Sequence, residues 1–403
     1  MSVPTPQGTD HAERPLTGVR VLDVSRVVSG PFATRLLSDL GADVVKIEPP
    51  VGDETRAYGL RIGGLSGSYI QQNVGKSNVC INLKAPGGRE LLLRMAEVAD
   101  LMVENFRPGV LDRLGIGWDV LRQRNPGLIL LSITGFGQYG PATARRAYAP
   151  VIHAETGLVA RQAHFDARPP SDPMPSVADT NASLHGVVAA LAALHMRGRT
   201  GVGQHIDIAM TDAMLSTDDY SHHALDNFPI LRVGGDVWEV PGGQLLTAGL
   251  FELNWQRLCT GHPDVFAGAD LANADVPTRM AAVQRWISAF PGRPELIEAL
   301  DVAGVPWADV RQPMAVFDSD WARARGTFAE IDDRAGGTRR VVQSPYRYSD
   351  ARSGLVPRIA FRGEDNQTAL HRWLDIDDQE LGELASAGVL LAEDRVNRVN
   401  RGD

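Results

Sequence analysis

The chain has 403 residues, 43% of them hydrophobic and 22% charged, and a formal net charge of −9. That length allows two or three domains with cores of their own, and the acidic balance disfavours nucleic acid or an anionic membrane surface as a partner. Two cysteines, Cys80 and Cys259, stand far apart without CxxC spacing, which argues against a disulfide framework or a cysteine-rich zinc site and suits a reducing cytoplasm.

Residues 1–15 are polar and read as a loose tail, with no apolar segment of the kind a secretion signal carries. No uninterrupted apolar run approaches the roughly 20 residues that span a bilayer, so a soluble, cytoplasmic protein is expected. GVRVLDV (18–24) is a short strand. Pro31 suits a helix start, and Ala33, Leu36, Leu37 and Leu40 form one helical stripe that Gly41 ends. ADVVKIE (42–48) and SNVCINL (77–83) read as further strands, followed by a helix over 87–99. LMVE (101–104), LILLSI (128–133) and HIDIAM (205–210) complete the strand set, and a long Ala- and Leu-rich helix begins at Asp179. Alternating strands and helices predict an α/β fold with a doubly wound, Rossmann-like parallel sheet. The expected division is a large domain over 16–215 and a Gly- and Pro-rich linker or loop over 216–245. A smaller α+β domain over 246–325 follows, and 326–403 returns to the large domain.

Common cofactor motifs fail. The first strand–helix junction holds Gly30 but no G-x-G-x-x-G pattern, so a dinucleotide site is not expected, and the lone glycine reads as a turn. No HExxH, P-loop, EF-hand or G-x-S-x-G motif occurs, and the adjacent His222 and His223 would point in different directions on either element. No metal site is expected.

The blocks VLDVSRVVSGPFATRLLSDLGADVVKIEPPVGDETR (21–56), NVGKSNVCINLKAPGG (73–88), VENFRPGVLDRLG (103–115), SVADTNASLHGVVAALAAL (176–194) and GQHIDIAMTDAML (203–215) resemble, in order, those of the class III CoA-transferases. That family includes formyl-CoA and carnitine-CoA transferases and α-methylacyl-CoA racemases. The resemblance implies an interlocked homodimer that moves CoA between carboxylic acids and binds coenzyme A or acyl-CoA as substrate, with no permanently bound cofactor. It implies a covalent aspartate at Asp179, CoA contacts at Val28, Ser29, Lys84, Asn105, Phe106, Arg113 and Arg146, and Tyr148 near the reacting centre. It further suggests that Gly242, Gly243 and Gln244 end a mobile loop shielding the intermediate.

A carboxylate can attack a thioester carbonyl and release CoA thiolate, splitting one hard exchange into easier steps. Asp179, followed by Thr and Asn at a helix start, also has the form of an N-cap, a position that keeps a carboxylate ionised. Two departures bear on the substrate: Val28 stands where formyl-CoA transferases carry glutamine, and Ala149 where an acidic residue is frequent. An oxalate-like acceptor is therefore doubtful. The alternatives are an α-methylacyl-CoA racemase, which needs acid/base groups flanking the α-carbon, and a non-catalytic CoA-binding paralogue. Racemases place a His-Asp pair where this chain has Tyr148-Ala149, although His153 lies nearby in sequence.

Overall fold

The computed structural model describes residues 13–218, 220–226 and 234–393. Six strands form the central sheet: β1 (Arg20–Asp23), β2 (Asp43–Glu48), β3 (Ser77–Cys80), β4 (Leu101–Glu104), β5 (Ile129–Thr134) and β6 (His205–Ala209). Their order is β3-β2-β1-β4-β5-β6, and every neighbouring pair is parallel. The chain winds outward from β1 in one direction, then crosses back to lay β4 on the other side of β1. Such a reversal opens a crevice at the carboxyl ends of the two central strands, where the loops diverge.

Side chains alternate between two buried faces, which explains why the strands read as nearly continuous apolar runs. Val21, Val44, Leu101 and Ile129 join one apolar cluster, while Leu22, Val45, Met102 and Leu130 join the other. Helices α1 (Ser29–Asp39), α2 (Ala149–Glu155) and α3 (Val177–Thr200) cover the first face. Helices Gly88–Glu97 and Asn366–Leu374 cover the second, so the C-terminal segment does pack on the large unit.

By length and mean hydropathy α3 would suffice to cross a membrane, although polar residues such as Asn181, His185 and His195 interrupt it. Its inward face is Ala178, Ala182, Gly186, Ala190 and Ala193, small residues that let it lie close on the sheet. A Cβ at Gly186 would stand 3.2 Å from Leu131. Packing of that kind makes α3 the core helix of this unit.

Two compact units are present, one comprising 1–221 with 324–403 and the other 222–323. The second has its own core of Trp238, Trp255, Phe266, Leu245 and Ile287 beneath a three-stranded antiparallel sheet. Part of the stretch expected to be a linker is thus regular: Gly235–Val240 and Gly243–Ala248 form a hairpin turning at Pro241–Gly242, while residues 227–233 lie outside the described residues.

Candidate active site

Loops after β1 and β4 face each other across the crevice, and Asn105 joins them. Its Nδ2 donates to the Arg26 carbonyl (2.6 Å) and to Ser29 Oγ (3.1 Å), and its Oδ1 accepts from the Arg26 amide (2.8 Å). Arg26 lies over the Phe106 ring, 4.9 Å from its centroid. Between them Val27 is held at φ 68°, a left-handed conformation that costs a β-branched residue about 1–3 kcal/mol.

Buried charges beneath the loop hold it there. Lys46 Nζ donates to the Ser25 carbonyl (2.9 Å) and pairs with Asp53 (3.1 Å). Lys76 Nζ pairs with Asp23 and donates to the Pro31 carbonyl and to Asn73 Oδ1, each at 2.9 Å. Gly30, read from sequence as a turn, lies in the first turn of α1. A Cβ there would fall 2.1 Å from Ser25 Cβ, so only glycine lets α1 begin so close to this loop. On the β4 side, Glu104 accepts from the Phe106 amide (2.7 Å), and burial pushes its carboxyl up to about 7.

Asp179 lies in the first turn of α3 but does not cap it. The N-cap residue is Ser176, whose side chain makes no capping bond. Burial dominates and pushes the Asp179 carboxyl up to about 6, opposed by the nearby His153 ring and by hydrogen bonds from the Ser29 hydroxyl and the Ala149 amide. His153 is fully buried, with Nδ1 against Asp172 (2.8 Å) and Nε2 accepting the Ala178 amide (3.1 Å). The Ser183 hydroxyl donates to the Ser29 carbonyl (2.6 Å) and ties α3 to the start of α1.

Asp179 stands in the walls of two cavities. The first, about 350 Å³, is lined by Arg26, Arg107 and Arg146 together with Ser29, Asn105, Phe106 and Tyr148. The second, about 710 Å³, is lined by Val28, Gln71, Gln72, Tyr148 and Thr180. Seven of the residues singled out from sequence therefore converge: Val28, Ser29, Asn105, Phe106, Arg146, Tyr148 and Asp179. Lys84 and Arg113 are exposed and line neither cavity, and Gly242, Gly243 and Gln244 belong to the hairpin of the second unit.

Sequence reasoning missed Arg26 and Arg107, and read Ala149 only as a departure from an acidic residue. The two arginines sit inside the recognised blocks, but a single arginine reads as a solvated surface residue. Ala149 contributes only its backbone amide, which leaves no mark on residue identity.

The sequence matches the family described as CoA-transferase family III over residues 16–360. The chain belongs to that family. It is similar to the formyl-CoA:oxalate CoA-transferase of Streptomyces coelicolor, with 32% identity over 409 residues, covering 93% of this chain and 99% of that one. To the succinyl-CoA:mesaconate CoA-transferase of Haloarcula marismortui it is 33% identical over 343 residues, covering 79% and 85%. A crystal structure of a CAIB/BAIF family protein from Brucella suis superposes with a TM-score of 0.77 at 30% identity, covering 90% of this chain and all of that one. Membership makes the protein an enzyme of the CoA-transferase class that uses CoA thioesters.

Proposed function

We propose that this CoA-transferase works through a covalent intermediate on Asp179. The observation carrying the proposal is the carboxyl's place in the wall of both cavities, between the arginines and the second chamber. At about 6 its pKa leaves the group mostly ionised at neutral pH, yet more basic than an exposed aspartate and so a better nucleophile. A carboxylate oxygen of Asp179 attacks the thioester carbonyl, the C–S bond breaks, and CoA leaves as thiolate. The thiolate attacks Cγ of the resulting anhydride, freeing the donor acid as its carboxylate and leaving an aspartyl-CoA thioester. An acceptor carboxylate then attacks Cγ, releasing thiolate once more, and thiolate attack on the acceptor's acyl carbon regenerates Asp179. One negative charge enters with the acceptor and one departs with the donor acid, so no net proton transfer is required. Ser29 and Ala149, which donate to the resting carboxylate, are placed to stabilise charge on its oxygens during attack at Cγ.

Racemisation needs a free base, and His153, the histidine that acts on Asp179, has both ring nitrogens engaged. This favours transfer. Incubation with an acyl-CoA, hydroxylamine trapping and intact-mass measurement tests the proposal. An adduct that disappears in Asp179→Ala supports it. Loss of α-deuterium to solvent without an adduct supports the racemase instead, and CoA binding with neither signal supports a non-catalytic paralogue.

We also propose a cytoplasmic homodimer. The exposed apolar residues Leu184, Val188 and Met196 along α3 support a partner-facing surface. Contacts of Lys84 and Arg113 with CoA phosphates, and shielding of the intermediate by Gly242–Gln244, rest on the family resemblance.

A further inference from the structure

Fully buried carboxylates in this fold are paired with cations, with one exception among the described residues. Asp23 is held by Lys76, Asp39 by Arg35, Glu48 by Arg56, Asp53 by Lys46 and Asp365 by Arg358. Glu104, the last residue of β4, is buried as deeply, at 3% exposure. The groups acting on its charge are the Ser132 hydroxyl, the Phe106 amide and the Asp207 carboxylate, and no cation is among them. Burying a charge without a counter-ion is costly, and burial is the chief cause of the rise of this carboxyl to about 7. Glu104 lines a small cavity of about 60 Å³, where Arg107, Asp112 and His205 are the other ionisable residues. Ser132 Oγ lies 2.8 Å from His205 Nε2, and partial burial holds the His205 ring below its ordinary pKa, so it stays neutral at pH 7.

Glu104 supports the loop of the first cavity. Its Oε2 accepts the Phe106 amide (2.7 Å), and Asn105, Phe106 and Arg107 all line that cavity. Asn105 clamps the Arg26 backbone and Arg26 lies over the Phe106 ring, so the bond beneath Phe106 steadies both sides of the crevice. Glu104 itself lines the small cavity and not the first, with Arg107 as the wall common to both.

We propose, resting on the reading that a CoA thioester occupies the first cavity, that Glu104 is a positioning residue that takes up a proton as the substrate binds. Its side chain sets the Asn105–Arg107 backbone from below without touching substrate. When ionised, it places an uncompensated negative charge beneath the loop that meets the polyanion, so an arriving CoA favours the neutral acid. The neutral acid keeps a carbonyl oxygen for the Phe106 amide, and the loop is held in either state. Proton and CoA therefore bind cooperatively, each raising the affinity for the other.

Calorimetric titration of the full-length protein with CoA, in buffers of different ionisation enthalpy, reads the protons taken up. Free CoA leaves acyl transfer out of the measurement, so the result does not depend on chemistry at Asp179. At pH 7 wild type should take up about 0.3–0.5 proton more than Glu104→Gln, which is neutral at every pH. Asp179 and the phosphates of CoA contribute to both proteins and cancel in the difference. The Kd of wild type should match that of Glu104→Gln near pH 6 and exceed it on the order of 10-fold near pH 8.5, because the charge that opposes CoA forms as pH rises. Ser132→Ala removes a hydroxyl that favours the ionised form, and should move that rise up by about 1 pH unit. In Glu104→Leu, which removes the acceptor beneath Phe106, KM for an acyl-CoA should rise about 10-fold while kcat changes less than about 2-fold.

Equal proton uptake in wild type and Glu104→Gln, or a ratio of their Kd values that stays flat between those two pH values, overturns the coupled proton. An unmoved rise in Ser132→Ala does so independently of whether Glu104→Leu folds. A Glu104→Leu enzyme that loses kcat at unchanged KM overturns the positioning role. Absence of CoA binding by wild type at every pH is a different failure: it removes the reading of the first cavity, and this inference with it.

Discussion

Replacing Ser29 by alanine removes a hydroxyl that donates to Asp179 and accepts from Asn105. A hydrogen bond to an ionised carboxylate is worth about 1.5–3 kcal/mol. Each pH unit corresponds to about 1.4 kcal/mol, so the Asp179 carboxyl should rise from about 6 to roughly 7–8. The sign follows from which form is favoured: the hydroxyl stabilises the charged carboxylate, so its loss makes the proton harder to remove. With the ionised form as nucleophile, kcat/KM in the wild type should climb through about pH 6. In Ser29→Ala the same limb should move up by about 1–2 pH units. Activity near pH 6.5 should then fall about 10-fold while that near pH 9 largely recovers. Steady-state CoA-transfer rates across pH 5 to 9, for any donor and acceptor pair the enzyme accepts, give the profile. A uniform loss at every pH with an unmoved limb would refute the argument, as would a wild-type limb near pH 4.

Asp179→Asn should abolish adduct formation and yet stabilise the fold above pH 6. Its folded-state value lies above the ordinary 3.8, so the native state loses stability as pH rises from about 4 to 6, up to about 3 kcal/mol. The urea midpoint of the variant should exceed that of wild type at pH 7.5 and converge with it near pH 4. Lys76→Met should cost about 3–5 kcal/mol by leaving Asp23 buried and unpaired, and adding Asp23→Asn should recover part of that loss in the same titration. Replacing Arg26 and Arg107 with glutamine should raise KM for acyl-CoA more than it lowers kcat, and should flatten the rise of KM with salt.

Much of the architecture was legible because the inner strands of the sheet are buried on both faces. Segments such as Leu101–Glu104 and Ile129–Thr134 are fully buried and mostly apolar, with runs such as Leu101–Val103 and Ile129–Leu131 that show no polar alternation. The hairpin over 235–248 was hidden by the opposite circumstance. Gly235–Val240 is half solvated, carries Asp236 and Glu239, and is flanked by glycine and proline, so its composition matches that of a loop. In the site, the identity of Asp179 was visible from the surrounding blocks, but its electrostatics were not. A helix start argued for a group ionised at neutral pH, and at about 6 it stays mostly so, but the burial that raises it is a tertiary property. Lys84 and Arg113 show the converse limit: a basic residue in a recognised block can still lie outside both cavities.

The start of α1 has a consequence for how charge is handled. In dinucleotide-binding sheets the helix after the first strand directs its positive end at a pyrophosphate, which is why glycines are needed there. Here the same helix end presents the Ser29 hydroxyl to a carboxylate of the protein itself, while the cationic wall is supplied by the side chains of Arg26, Arg107 and Arg146. With Asp179 as the proposed nucleophile, the helix terminus stands as a fixed positive potential at the point of bond exchange. Negative charge passing from carboxylate to tetrahedral oxyanion and back would stay within one field, and little dipole reorientation would be needed at any step.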